Sequence, residues 1–368
     1  MKNKLSTFLL LTFLGSCNPA TFFQQRYYKD SYQPISMESQ TVLEDSATIK
    51  GMHCISYSTA YCQSACLQMI HSLYGDIEDI SYYNWAMGFT YGAYYQEYAG
   101  VYSFLPYSDP ETGLIQAESV LGYKKNYLIS HDKDVFISNI KAHLIKNQPV
   151  KVGVNSAILE NRKGFYPHSI ILIGYTSEYV KYYETGGSDR ILFQYEGEKV
   201  KWDRLISAIT SFSQGFNYPW EYQLTVFDKT SSQNLITTHL SASIIQENAK
   251  SVIGASYGST HLGSHAFIEL ANRIEQKDLT TDESSYLLKS LSFGQLTRED
   301  NAVYMLSDKM HTFNFTEIAV LYKQSAVEFK KSQNALEKGN FKSCAKALRE
   351  IGRIENKIGE KLSQILEI

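Results

Sequence analysis

The period of the apolar positions changes along the chain. Residues 61–75, YCQSACLQMIHSLYG, carry Ala65, Leu67, Met69, Ile70 and Leu73 on a mixed three-and-four spacing, which predicts a buried helix. Ser58 or Thr59 can cap it, since a short side-chain oxygen satisfies an orphan N–H, and Gly75 can end it with a positive φ. Residues 167–187, PHSIILIGYTSEYVKYYETGG, hold two apolar runs, 170–173 and 179–183, around Thr-Ser-Glu, and so predict strand, tight turn and strand. Between these, 82–107 is aromatic and glycine-punctuated and reads as loops and short helices. Helices are expected over 110–121 and from Asp132, an acid-started amphipathic stretch, and strands over 125–129 and 149–154. A strand at 191–195 extends the sheet, a short helix covers 200–209, and 221–227 closes the domain.

After residue 236 the two-residue period disappears. Helical stripes run over 241–253, 264–274, 282–291 and 299–306. A long helix capped by Thr316 carries Ile318, Leu321, Tyr322, Ser325 and Phe329. It breaks at Gly339, and a last stripe follows from Phe341 through Cys344 to Ile365. Two long helices joined at Gly339-Asn340 imply an antiparallel pair. The fold class is α+β: a helix and an antiparallel sheet, then a C-terminal α-helical domain. The divisions are 1–17, 18–48, 49–230 and 236–368.

The first two divisions come from the N-terminus. Lys2 and Lys4 precede an apolar run over 5–14 that is too short to span a bilayer and suits a secretory signal peptide. Leu14-Gly15-Ser16-Cys17 follows and resembles a bacterial lipobox. That resemblance implies lipidation at Cys17 and an exported, membrane-anchored lipoprotein, with 18–48, polar and patternless, as its tether. An ordinary secretory peptide cleaved nearby is the alternative. Composition adds little: 43% apolar residues support a sizeable core, and a net charge of −3 with no basic, aromatic-interleaved patch gives no sign of nucleic-acid binding.

Five cysteines are present, Cys17, Cys54, Cys62, Cys66 and Cys344, with no pairing or Cys/His cluster at zinc spacing, so no metal or cofactor is called for. Cys62 and Cys66 lie one helical turn apart, an awkward geometry for a bridge. An oxidising compartment allows a Cys54–Cys66 disulfide, which would leave Cys62 free. A thiol at a helix N-terminus sits at the positive end of the peptide dipoles, which favours the thiolate; this makes Cys62 the candidate nucleophile. The plainer reading is a small buried hydrophobe. Cys54, beside His53, is the fallback nucleophile. His168 opens the first strand of the hairpin and Glu184 follows the second, so an antiparallel pairing sets imidazole beside carboxylate, as a base and its orienter require.

These residues resemble a known family. Cys-x-x-Ala-Cys-Leu-x-Met with Tyr-Gly, the glycine thirteen residues after Cys62, is similar to the nucleophile helix of the C39 and C39-like cysteine peptidases. His-x5-Gly with an acid sixteen residues after the histidine is similar to their His–Asp hairpin. The resemblance implies a papain-like fold, with Cys62 as nucleophile, His168 as general base and Glu184 as orienting acid. Three positions depart from it: Cys62-Gln63 replaces Cys-Gly, Glu184-Thr185 replaces Asp-Pro, and Ser56 stands where an oxyanion-hole glutamine is expected. Loss of such a donor costs about 2.7–4 kcal/mol in other enzymes. Downstream, Gly263 in GSHAFIELANRI, the segment SLSFGQLTRED and the final paired helices resemble the butirosin biosynthesis protein H family. The expected activity is therefore hydrolysis of a peptide or amide bond through an acyl-enzyme. The alternatives are acyl transfer to an amine and an inactive exported binding module. Partners would be a peptide or acyl substrate, the membrane through the lipid anchor, and a protein or second copy at the C-terminal helices.

Overall fold

The computed structural model of the protein describes residues 33–55, 61–74, 78–98, 101–185, 191–192, 196–216, 218–230, 241–276, 279–310 and 313–365. The signal peptide with Cys17, the first half of the tether, Ser56, Ser58, Thr59 and Gly75 lie outside them. In chain order the elements begin with β1 (Ile35–Ser36), β2 (Ala47–Thr48), β3 (Cys54–Ile55), α1 (Cys62–Ser72), α2 (Ile80–Ala86), β4 (Tyr94–Tyr98), β5 (Val101–Leu105) and α3 (Pro110–Leu121). Next come β6 (Tyr123–Ser130), α4 (Lys133–Ile145), β7 (Val150–Asn155), α5 (Ser156–Leu159), β8 (Pro167–Tyr175), β9 (Tyr179–Tyr183), β10 (Ile191–Leu192), β11 (Glu198–Lys201), α6 (Trp202–Gly215) and β12 (Tyr222–Lys229). The remainder is α7 (Ala242–Ile253), β13 (Ser256–Tyr257), β14 (Thr260–Leu262), α8 (Ser264–Gln276), α9 (Thr281–Met305), α10 (Thr316–Glu337) and α11 (Phe341–Ile365). The fold is mixed α and β with antiparallel sheets. No helix among the described residues is long and apolar enough to cross a membrane.

The chain forms two compact units. The first combines the residues up to Tyr83 with Gly122–Ser232, and the second combines Asn84–Leu121 with the residues from Gln233 on. The segment 84–121, expected with the sheet, therefore belongs with the C-terminal helices.

The first unit is built on an eight-stranded sheet in the order β1-β6-β12-β7-β8-β9-β11, with β2 also paired to β8. All pairings are antiparallel except β1 with β6. β12 sits inside the sheet between β6 and β7 rather than closing an edge. Val150, Val152, Val154, Ile170, Ile171 and Leu172 are fully buried where β7 meets β8, each contributing about 1.5–3 kcal/mol over an exposed side chain. α1 and α4 pack against β8, and α6 packs against β7. Gly174 marks a register shift between β8 and β9. A Cβ there would sit 2.7 Å from the carbonyl oxygen of Ala47 on β2, so only glycine lets that strand approach.

Several local expectations need correction. The described end of the tether is stitched into the sheet through β1 and β2, because two-residue strands are too short to leave an alternation. β10 does not extend the main sheet but pairs with β3, Ile191 opposite Ile55. The helix at 200–209 is α6, longer and preceded by β11. Asp132 does cap α4, accepting from the N–H groups of Asp134 at 2.7 Å and Val135 at 3.0 Å.

The second unit is not all-helical. It contains a four-stranded sheet, β13-β14-β4-β5, half of it drawn from the aromatic segment expected to be loops. The alternation that encodes this hairpin is Tyr95/Glu97 against Tyr102/Phe104, and the apolar members bury against Phe267 and Leu287 of α8 and α9. The stripes at 282–291 and 299–306 fuse into α9, started by a capping box of Thr280 and Glu283. The N-cap of α10 is Phe315, not Thr316, and the side chain that accepts from the first helical N–H is Asn314 Oδ1, at 3.1 Å. α10 and α11 pack as a pair, and the turn between them uses Gly339 at φ 67°. At the centre of the unit Arg298 and Glu355 are both buried and paired at 2.9 Å.

Candidate active site

Cys62 is the first residue of α1. The N-cap is Tyr61, whose side chain makes no capping bond. The first-turn N–H groups of a helix have no intrahelical partner, so partial positive charge gathers around Cys62, and the first turn holds no acid to offset it. Cys62 itself is partly exposed, while residues 64–72 are buried on every side. The helix ends at Ser72 with Leu73 as its C-cap, a few residues before the expected glycine.

His168 is the second residue of β8, opposite Val154 of β7, and only 7% of its side chain is exposed. Glu184 follows directly on β9, whose last residue, Tyr183, pairs with Ile171 of β8. The hairpin thereby returns Glu184 to the start of β8, where its Oε1 meets His168 Nε2 at 2.5 Å. A carboxylate can only accept, so Nε2 carries the proton. The remaining ring nitrogen is Nδ1, and the Cys62 side chain lies close enough to His168 for each to shift the other's titration.

The electrostatics run in opposite directions at the two ends of this contact. Burial pushes the Cys62 thiol up, but the His168 hydrogen bond and charge, the backbone N–H of Ser169 and the Lys151 ammonium outweigh it, and the thiol lies below its usual value. Burial pushes His168 down, but the Glu184 carboxylate and the contact with Cys62 hold it well above the usual imidazole value. A thiol lowered and an imidazole raised by each other favour the thiolate–imidazolium pair.

Cys54 is different. Burial, with the charges of Glu184 and Glu198, pushes its thiol up to about 12, so it is inert at neutral pH and does not serve as a fallback nucleophile. The Cys54–Cys66 disulfide is not formed: Cys54, Cys62, Cys66 and Cys344 are all free thiols. Cys344 lies in the core of the second unit.

Three contributors were not picked out by pattern. Ser169 offers its N–H to Cys62. Lys151 is 3% exposed in β7, a strand buried at every position, and its charge acts on Cys62. A lysine inside the run PVKVGV was the available signal, since lysine is seldom buried without purpose. Thr185 is fully buried against the His168–Glu184 pair. Among the described residues, no group of three or more His, Cys, Asp or Glu side chains is arranged to hold a metal ion.

Neither a protein-family model nor a curated protein matches the chain. Among solved structures, a crystal structure from Bacillus anthracis described as a C39-like peptidase is similar, with 15% identity and a TM-score of 0.34, over 51% of this chain and 100% of that one.

Proposed function

We propose that the protein is a cysteine hydrolase of papain-like design that cleaves a peptide or amide bond through an acyl-enzyme. The observation that carries this reading is the His168 Nε2–Glu184 Oε1 contact at 2.5 Å together with Cys62 at the first position of α1, and the opposed titration directions of Cys62 and His168 agree with it. The Cys62 thiolate attacks the substrate carbonyl carbon, and the oxyanion forms beside the backbone N–H groups at the start of α1. His168 gives its proton to the leaving amine as the C–N bond breaks, leaving a thioester on Cys62. Water then attacks the thioester, His168 takes its proton, and the acid product departs as the thiolate re-forms. Glu184 keeps Nε2 protonated and the ring aimed throughout.

The test is the pH profile of alkylation of each cysteine, read by mass spectrometry on the protein lacking residues 1–17, with and without His168→Ala. Rapid labelling of Cys62 well below the ordinary thiol range of about 8.5, lost in His168→Ala, supports the reading. Labelling like an ordinary thiol in both proteins sinks it. A panel of peptidyl and acyl-amide substrates, scored for free acid against product carried on an added amine, then separates hydrolysis from acyl transfer.

We infer in addition that residues 1–17 export the chain and that Cys17 anchors it. The basis is the charged start, the short apolar run and Leu-Gly-Ser-Cys. Cys17→Ser should move the protein from the membrane fraction to the soluble one; an unchanged distribution rejects the anchor.

A further inference from the structure

We propose that Thr185 is a positioning residue for His168 and Glu184, replacing by hydrogen bonds the rigidity that a proline supplies after an aspartate in the pattern this hairpin resembles. The inference rests on the hydrolase reading above. Its basis is geometric. Glu184 has one methylene more than aspartate and one more torsion to fix. The backbone N–H of Thr185 donates to Glu184 Oε1 at 2.8 Å, and that same oxygen meets His168 Nε2. Proline has no N–H, so this clamp exists only because the position is not proline. The longer acid and the following non-proline residue form one device.

The side chain adds a second tie. Thr185 Oγ1 donates its single hydrogen to the carbonyl oxygen of Ser169 at 2.9 Å. A lone pair then remains for His168 Nε2–H, 3.2 Å away. Nε2–H is thus shared between a carboxylate and a hydroxyl, both held by one residue. Ser169 is also the residue whose N–H faces Cys62. The Thr185 hydroxyl therefore braces the strand that supplies a donor to the thiolate as well as the ring that supplies its counter-charge. Thr185 is 0% exposed, so water does not substitute for these bonds.

The charged and titratable groups around the cluster are Cys62 and Lys151 on the thiol side, and Cys54, on which both Glu184 and Glu198 act, on the other. None of them reproduces an acceptor at Nε2 from within the sheet. Removing the hydroxyl should therefore weaken the imidazolium and, through it, the thiolate. Alkylation needs only the thiolate, so the effect is read on one limb: the acid limb of Cys62 labelling moves up in pH.

The experiment compares Thr185→Val, Thr185→Ser and Thr185→Ala with the parent by the Cys62 alkylation profile and by thermal unfolding. Valine keeps the shape and the N–H but lacks the hydroxyl; serine keeps the hydroxyl. We expect the acid limb of labelling to rise by about one pH unit for valine and alanine, which is roughly tenfold slower labelling at a pH on that limb, and the parent's profile for serine. If valine does not fold, the serine–alanine pair carries the comparison. A folded valine or alanine variant with the parent's profile overturns the inference, as does a serine variant as defective as valine. If instead parental labelling is indifferent to His168→Ala, the hydrolase reading falls and this inference with it. A parent that responds to His168→Ala while the Thr185 variants do not respond removes only the role of Thr185.

Discussion

Each unit of the molecule buries a charged cluster, and the two are built to opposite ends. In the second unit Arg298 is fully buried, and its donors are spent: on Glu355 at 2.9 and 3.3 Å, on the carbonyl oxygens of Thr90, Gly92 and Pro106, and on Thr297 Oγ1. Ser325 adds a donor to Glu355, and the rings of Phe267 and Phe329 lie against the guanidinium. Arginine does not release its proton, and no bonding capacity is left over. The cluster fastens the segment that carries β4 and β5 to α9 and α11. In the first unit, Cys62, His168 and Glu184 are titratable groups, with Cys62 partly exposed and Glu184 32% exposed. A buried pair becomes reactive when its protons are mobile and one member can still be reached; saturation makes it a fastener.

That contrast can be broken at either end. The largest effect is expected at the first cluster: Cys62→Ser or His168→Ala should lower turnover by at least about 10³-fold, with unfolding little changed. A comparable fall in stability with either substitution would show that this cluster too is structural. Next, Arg298→Met leaves Glu355 buried without its partner and should cost about 3–5 kcal/mol in chemical unfolding, while Cys62 in the folded fraction keeps the parent's alkylation profile. A cost below about 1 kcal/mol would mean that the carboxylate finds water or protonates cheaply.

His71 sharpens the comparison, because it is a buried titratable group outside both clusters. The rings of Tyr83 and Tyr123 enclose it at 5.4 and 5.8 Å, its Nδ1 has no hydrogen-bond partner, and burial with the nearby Lys229 charge lowers its pKa to about 4. A base whose folded pKa is depressed binds protons mainly in the unfolded state. Its contribution is fully present above the unfolded value of about 6.5 and is lost as pH falls toward 4, a difference of about 3 kcal/mol. His71→Phe should flatten that part of the stability curve between pH 7 and 4 in urea titrations; a parallel curve would show that the imidazole escapes its enclosure. The smallest effect is expected at Cys54: its thiol, raised to about 12, should stay unlabelled at pH 7–8, and Cys54→Ser should leave Cys62 reactivity within about twofold.

Much of the first cluster was legible because it is local. Cys62 stands at a helix start, and His168 and Glu184 stand at the two ends of one hairpin, so short-range periodicity already set each on its element. The second cluster was not legible. Arg298 lies in a helix whose apolar stripe reads as two separate pieces, and Glu355 sits in the last stripe among lysines and arginines. Nothing in the spacing of either helix says that the two side chains meet. The hairpin β4–β5 was missed for a related reason: tyrosine is apolar enough for either period, and the glycines around it read as punctuation.

By itself the sequence determined the helix that begins at Cys62, the β8–β9 hairpin, the capped start of α4 and the break at Gly339, because a backbone hydrogen-bond period and a turn residue act over a few positions. Tertiary structure alone decided that β12 lies inside the sheet, that β10 pairs with β3, and that 84–121 joins the C-terminal helices. It also decided the direction in which each buried group titrates. An apolar face says that a residue will be buried, not against what. A proton responds to the charges and dipoles within a few ångströms, and the Lys151 charge and the Ser169 N–H reach Cys62 from strands distant from α1 in the chain.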